Sequence, residues 1–262
     1  MRKSTLVLLA ALAVPASAHP PYLAGTVGTA PVFVDLDRDG GKVSGWYYYL
    51  RVGKDIRLEG TIDAKGHFRI DESDYNTGKK SGSFDGAVTG THWTGTWRNA
   101  AGGGALPFAL EQTRDALVAV SGRFKCSGGW YEKGYGATYT SSVDLTLAKG
   151  AVKAFYVARD MSSKQNRDEQ SCSISLADFS REKTDEGILL RAKGDAHPDD
   201  ANDQHCTVRI IGAGDYFVVL VGDTSDSNND CRGSADTVFC SARGMWSDVI
   251  VDRKTQKCLP VR

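Results

Sequence analysis

The stretch Ile56-Arg57-Leu58-Glu59-Gly60-Thr61-Ile62 alternates between side chains that avoid water and side chains that accept it. A period of two puts Ile56, Leu58 and Ile62 on one face and Arg57, Glu59 and Thr61 on the other, which is the pattern of a half-buried strand. Asp63-Ala64-Lys65-Gly66 follows, and Phe68 and Ile70 then resume the alternation. A polar turn containing glycine between two such runs predicts an antiparallel hairpin.

The same pattern extends in both directions. Upstream, Val32, Val34 and Leu36 alternate with Phe33 and Asp35, and Asp39-Gly40-Gly41 supplies a turn. Trp46, Tyr48 and Leu50 then share one face, with Tyr47, Tyr49 and Arg51 on the other. Downstream of the Thr77-Gly78 turn come Phe84 and Val88, Trp93 and Trp97, and Leu106, Phe108 and Leu110. About seven short strands in a meander predict a small barrel or a sandwich.

The second half repeats the theme. Val143, Leu145 and Leu147 alternate with Asp144 and Thr146, and Val152, Ala154 and Tyr156 follow Lys149-Gly150. Ile188 to Leu190, Val208 to Ile211 and Phe217 to Val221 are apolar enough for buried strands, and Val249 and Val251 alternate near the end. Ser162 to Gln170 and Asp195 to Gln204 read as polar connections. A short helix over residues 176–183 is the one departure expected from an all-β fold of two antiparallel domains.

The chain has 262 residues, 32 Lys and Arg against 32 Asp and Glu, and 41% hydrophobic residues. That is enough apolar material for a core, and the charge balance lacks the basic excess of a nucleic-acid or anionic-membrane binder. At the N-terminus, Arg2 and Lys3 precede an apolar run from Leu6 to Val14, and Ala16-Ser17-Ala18 fits an A-x-A cleavage site. The run is too short to span a bilayer, so residues 1–18 read as a secretory signal peptide cleaved near Ala18. Cleavage leaves 30 basic and 32 acidic residues. The expected mature protein is soluble, periplasmic or secreted, and has no membrane span.

All six cysteines, Cys126, Cys172, Cys206, Cys231, Cys240 and Cys258, lie in the C-terminal half. An even number in an exported chain predicts three disulfides, and six cysteines allow 15 connectivities. Cys172–Cys206 is one expected bridge, because each cysteine opens a strand-like run; the last three are expected to staple the C-terminal segment. No C-x-x-C pair supports a zinc site. The asymmetry divides the chain into a cysteine-free β-meander domain, residues 19–115, and a disulfide-containing β domain, residues 116–262.

Asp35-Leu36-Asp37-Arg38-Asp39-Gly40 opens like an EF-hand loop, but its twelfth position is Trp46 where a bidentate Glu is needed, so it reads as a hairpin turn. The acidic run 223–230 packs oxygen ligands closely enough to bind Ca²⁺ but reads first as a solvated loop, the run 197–205 offers nitrogen and oxygen ligands with no recognised spacing, and no metal or other cofactor is assigned. His19, His67, His92, His197 and His205 stand in no G-x-S-x-G or H-E-x-x-H context, so no catalytic residue is named. The aromatics offer a better lead. Gly128-Gly129-Trp130-Tyr131-Glu132-Lys133-Gly134-Tyr135-Gly136-Ala137-Thr138-Tyr139 sets four large rings in a Gly-rich stretch beside Cys126. Trp and Tyr on a pinned loop make large contacts at low entropic cost. Trp130, Tyr131, Tyr135 and Tyr139, with Tyr47 and Tyr49 as an outward patch, form the expected partner-binding set.

Gly45-Trp46-Tyr47-Tyr48-Tyr49, Leu58-Glu59-Gly60, Gly66-His67-Phe68, Gly82-Ser83-Phe84-Asp85-Gly86, Trp93-Thr94-Gly95-Thr96-Trp97 and Leu106-Pro107-Phe108 together resemble a layout found in exported bacterial proteins that carry no assigned activity. The resemblance covers about residues 25–112 and implies a β-meander domain. Thr94-Gly95-Thr96-Trp97-Arg98-Asn99 resembles the first-strand motif of avidins, but it falls near the end of the domain, so biotin binding is not carried over. The second half is similar in style to disulfide-stapled periplasmic β proteins, bacterial lysozyme inhibitors among them. The sequence therefore predicts a non-enzymatic binding protein with a protein or glycan partner in the envelope or outside the cell. Its sharper form is an inhibitor or immunity protein against a cell-wall hydrolase. The alternative is a hydrolase or carbohydrate-active enzyme with a carboxylate site that no motif announces.

Overall fold

The computed structural model describes residues 22–74, 77–113, 117, 119–133, 136–163, 169–184, 187–192, 207–221 and 248–261. The signal-peptide segment, the acidic runs 197–205 and 223–230, and Tyr135, Cys206, Cys231 and Cys240 lie outside them, so the expected Cys172–Cys206 bridge does as well. Among the described residues the fold is all-β, with every strand pairing antiparallel.

Eight strands form a closed meander barrel: β1 (Leu23–Val27), β2 (Ala30–Asp39), β3 (Lys42–Tyr49), β4 (Ile56–Ile62), β5 (His67–Asp74), β6 (Lys80–Thr89), β7 (His92–Asn99) and β8 (Ala105–Gln112). β1 closes the ring by pairing with β8, from Leu23 opposite Gln112 to Val27 opposite Phe108. This is one strand more than the sequence predicts. β1 escapes notice because Leu23 and Val27 are four residues apart with Gly25 between them, which leaves no visible alternation. The acidic run at 35–40 is the end of β2 and its turn into β3, where Gly40 takes φ 58°.

The alternating apolar residues point inward. Val32, Val34, Leu58, Ile70, Phe84 and Phe108 are among those that fill the barrel. Eight strands make a barrel just wide enough for side chains to fill. The remaining void is about 20 Å³, room for about one water. Glycine makes this packing possible at Gly86, where a Cβ would lie 2.9 Å from Phe108 Cζ and 3.0 Å from Phe68 Cζ.

The second half forms two sheets. β9 (Gly122–Glu132), β10 (Ala137–Ala148), β11 (Ala151–Ser163) and β12 (Glu169–Ser175) form a four-stranded meander. A 3-10 turn, Leu176–Asp178, leads to a six-stranded meander of β13 (Phe179–Thr184), β14 (Gly187–Ala192), β15 (Thr207–Ala213), β16 (Tyr216–Val221), β17 (Val249–Asp252) and β18 (Lys257–Pro260). The helix expected over 176–183 is therefore corrected to a single turn and a strand. Pairing from Phe179 opposite Ala192 to Thr184 opposite Gly187 overrides the local helix preference.

The six-stranded sheet is the middle layer of the molecule. Val208, Ile210, Phe217, Val219, Val249 and Val251 pack against the four-stranded sheet. On the opposite face, Ile211, Val218, Leu220 and Ile250 pack against Tyr22, Phe33, Tyr48 and Leu50 from the outside of the barrel. Burial on both faces explains why β16, Tyr216–Val221, reads as one continuous apolar run. Cys126 of β9 and Cys258 of β18 form a disulfide pair with Cα atoms 5.2 Å apart, joining the two sheets at one corner.

Candidate functional site

Most of the described part of the Gly-rich aromatic stretch is strand. Residues 128–132 complete β9, residues 137–139 begin β10, and their register places Trp130 opposite Tyr139. The rings stack with centroids 4.9 Å apart and planes 14° apart. Both belong to the phase of Cys126 and Val143, which faces the middle sheet. Tyr131, in the opposite phase, is 61% exposed.

Beneath the stacked rings lies Arg159 of β11, a residue not singled out by the sequence. It is only 3% exposed, with its guanidinium carbon 4.8 Å from the Trp130 ring centre and 5.6 Å from that of Tyr139. Burial pulls its pKa down to about 10, against the opposing charges of Tyr139 and Asp248. The buried Ser141 hydroxyl, opposite Arg159 in register, has no hydrogen-bond partner among the described residues.

Arg159 was hidden by a register shift. Thr146 pairs with Ala154 but Leu147 pairs with Val152, leaving Lys153 as an extra residue. A bulge of this kind flips the phase of everything beyond it. Phe155, Val157 and Arg159 therefore point inward, while Tyr156, which simple alternation would have placed beside Val152, is 42% exposed.

Tyr47 and Tyr49 do not form an outward patch. Tyr47 is 1% exposed inside the barrel and Tyr49 packs against the same core. Tyr47 donates its hydroxyl hydrogen bond to Glu72, which is also buried, and burial with that nearby charge raises the phenol's pKa far above its usual range. The correction has a simple cause: both faces of β3 are covered, one by the barrel core and the other by the middle sheet.

The outward member of the triplet, Tyr48, marks the junction of barrel and sheet. Its hydroxyl lies 3.2 Å from Asp248 Oδ2. Asp35 sits diagonally across from Tyr48 on β2, since Phe33 pairs with Tyr48 and Asp35 with Trp46. Asp55 falls one position before Ile56, the partner of Tyr47, and so beside Tyr48. Burial raises Asp55 to about 6 and holds Asp248 well above the usual carboxylate range, with Asp55 and Asp35 adding repulsion.

Of the histidines, His67 and His92 are exposed on the outer barrel face, paired with Asp63 at 3.3 Å and Glu111 at 3.4 Å. Among the described residues no group of three or more His, Cys, Asp or Glu side chains is arranged to hold a metal, and no helix is long and apolar enough to cross a membrane.

Taken together, these features define an all-β protein in which a filled meander barrel docks on a two-sheet unit carrying a cation–aromatic stack. No protein-family model matches the chain, and neither the curated proteins nor the solved structures compared with it give a match.

Proposed function

We propose that this is an exported binding protein whose β9–β10 hairpin engages a macromolecular partner in the periplasm or outside the cell. The observation that carries this reading is the stack of half-buried Trp130 and Tyr139 over buried Arg159, with exposed Tyr131 on the opposite face of the same hairpin. Trp, Tyr and Arg are the residues that dominate interface hot spots, above all when they are rigid before binding. Two long paired strands and the nearby Cys126–Cys258 bridge supply that rigidity. The void inside the barrel, about 20 Å³, is far below the roughly 300 Å³ or more of a small-molecule site, so a small ligand has no place in the barrel interior.

The sharper proposal is an inhibitor or immunity protein that presents this hairpin to the cleft of a cell-wall hydrolase. The test immobilises the mature, oxidised protein and a Trp130→Ala/Tyr131→Ala double variant, and passes envelope and secreted fractions over both. One partner retained by the wild type and lost by the variant supports the binding reading; equal retention by both, or none, removes it. Full activity of chicken-, goose- and invertebrate-type lysozymes in the presence of excess protein removes the sharper form.

A second reading, a hydrolase using the junction carboxylates, draws support from Asp55 and Asp248. Burial that raises a carboxyl toward neutrality is how enzymes hold a general acid ready. Turnover on peptidoglycan, glycan or ester substrates, abolished by Asp55→Asn, would favour it over the binding reading.

A further inference from the structure

The apolar contact between barrel and middle sheet takes its barrel residues from 22–50, so the outward face of β4–β7 is no part of it. On that face lies a shallow hollow of about 680 Å³, open to solvent. Its volume falls within the roughly 300–1,000 Å³ of small-ligand sites. Strand register explains why it is hollow. Ala87 of β6 stands opposite His67 of β5 on one side and Thr94 of β7 on the other, so only a methyl group fills the middle of that row. In the next row Thr61 of β4, Arg69 of β5 and Asp85 of β6 stand side by side.

Arg69 and Asp85 are directly opposite each other and exposed, yet neither side chain makes an ion pair or a hydrogen bond among the described residues. Opposite charges in that relation ordinarily pair. Other acids on the outside of the same strands are engaged, Glu59 with Arg57, Asp71 with Lys80 and Glu111 with His92. Asp63 accepts from the backbone N–H groups of Lys65 and His67 at 2.8 and 2.9 Å, and its second oxygen lies 3.3 Å from His67 Nδ1. These bonds, that of the His67 amide first, hold the Asp63 carboxyl below the usual carboxylate range. The imidazole is thus oriented through Nδ1, and Nε2 is the nitrogen left to meet a ligand.

The lining narrows the ligand. A bare anion meets Arg69 but is repelled by Asp85 and Asp63, a bare cation is repelled by Arg69, and an apolar molecule finds mostly polar side chains. We propose that this hollow binds a small zwitterion, an amino acid or a short peptide with free ends, its carboxylate held by Arg69 and Thr61 and its ammonium lodged over Ala87 between Asp85 and His67. The guanidinium presents paired N–H donors that match a carboxylate, and the Thr61 hydroxyl adds another. The ammonium donates to the Asp85 carboxylate, to Nε2 of neutral His67 and to the Thr94 hydroxyl. Adjacent strands run about 4.8 Å apart, so a ligand whose charged ends are a few ångströms apart bridges the two poles.

The ligand completes through itself the ion pair that Arg69 and Asp85 do not make directly. Both of its ends are therefore needed. Blocking the ammonium leaves Asp85 without a counter-charge, and blocking the carboxylate does the same to Arg69. The hollow shares no residue with the β9–β10 hairpin, so the site does not depend on the partner-binding reading, and the Trp130→Ala/Tyr131→Ala variant is expected to keep it.

Amide NMR titration of the full mature, oxidised chain with alanyl-alanine tests this. The expected result is saturable shifts centred on residues 61–69 and 85–94, with N-acetyl-alanyl-alanine and alanyl-alanine amide each binding at least about tenfold more weakly. Alanine separates the two sources of such a ligand: tighter binding than the dipeptide assigns the site to free amino acids, weaker binding to peptides. Arg69→Gln and Asp85→Asn are each expected to weaken binding at least about tenfold, and Ala87→Leu, which fills the hollow, to abolish it. No saturable shift with either zwitterion would overturn the proposal, as would blocked dipeptides that bind as well as the free one, or variants at all three positions that bind like the wild type. If thermal melting shows that Ala87→Leu does not fold, Arg69→Gln and Asp85→Asn decide, and unchanged affinity in both counts against the proposal.

Discussion

Tyr47 donates its hydroxyl hydrogen bond to the carboxylate of Glu72 inside the barrel, and Trp97 donates its indole N–H to the same oxygen at 3.0 Å. Gly82 makes room for this arrangement, since a Cβ there would lie 2.6 Å from Glu72 Oε1. An acid in an apolar interior is tolerated only when its oxygens are met by donors. Glu72→Ala leaves two donors without their acceptor and is expected to lower stability by about 2–4 kcal/mol. Glu72→Gln, which retains an acceptor oxygen, is expected to lose clearly less. Urea denaturation of both variants checks the order.

Gly86 is the second pressure point of the barrel. A side chain there meets first the backbone carbonyl oxygen of Thr94 on β7 and then the rings of Phe68 and Phe108, which lie within 3.0 Å of the new Cβ position. Gly86→Val is expected to cost at least about 1–3 kcal/mol through overpacking. The neighbouring Ala87, in the opposite phase, faces outward, and Ala87→Ser is expected to change stability by less than about 0.5 kcal/mol. Thermal melts of the pair report the inward and outward phases of β6 directly.

The Cys126–Cys258 bridge closes a segment 132 residues long and ties the outer sheet to the middle one. Removing both thiols as Cys126→Ser/Cys258→Ser is expected to destabilise the protein by about 2–4 kcal/mol. The loss should fall on the second unit. Hydrogen exchange is therefore expected to quicken in β9 and β18 while amides of the barrel strands β4 to β7 keep their protection.

The stack over Arg159 has a cost of removal separate from any binding role. Trp130→Ala removes one ring from both the stack and the cation, and is expected to lower stability by about 1–3 kcal/mol. Trp130→Phe keeps an apolar ring and is expected to recover part of that loss. Calorimetric melting of the two variants measures it, and the same melt of the Trp130→Ala/Tyr131→Ala variant establishes whether the control used in partner capture is folded.

Two aspartates are expected to titrate in opposite directions for different reasons. Burial holds Asp55 up to about 6, whereas Asp74 is held down to about 2 by its hydrogen bonds with Lys54 and Thr77. Asp55 contributes favourably at acidic pH and loses that contribution as pH rises. Asp74 contributes favourably above its ordinary value and loses that contribution as pH falls toward 2. Carbon-detected carboxyl NMR titration resolves the two midpoints.

Local pattern alone determined a great deal here. Alternation at Ile56–Ile62, the turn at Asp63-Ala64-Lys65-Gly66 and its repeats along the chain specify antiparallel hairpins, because side-chain direction in a strand has a fixed period of two. The runs at Ile188–Leu190 and Phe217–Val221 announce strands without an exposed face. Tertiary structure decided the rest. β1 became a strand because β8 and β2 offered it two edges, and residues 179–184 because β14 offered one. A single extra residue, Lys153, turned Arg159 inward beneath Trp130 and Tyr139. Docking of the middle sheet onto the barrel buried Tyr48 and brought Asp248 to it across 200 positions of sequence. Periodicity is a property of neighbours along the chain, so it reveals which residues share a face. What covers that face is settled by packing between segments far apart in sequence, and the environments of Arg159, Asp55 and Asp248 arise only there.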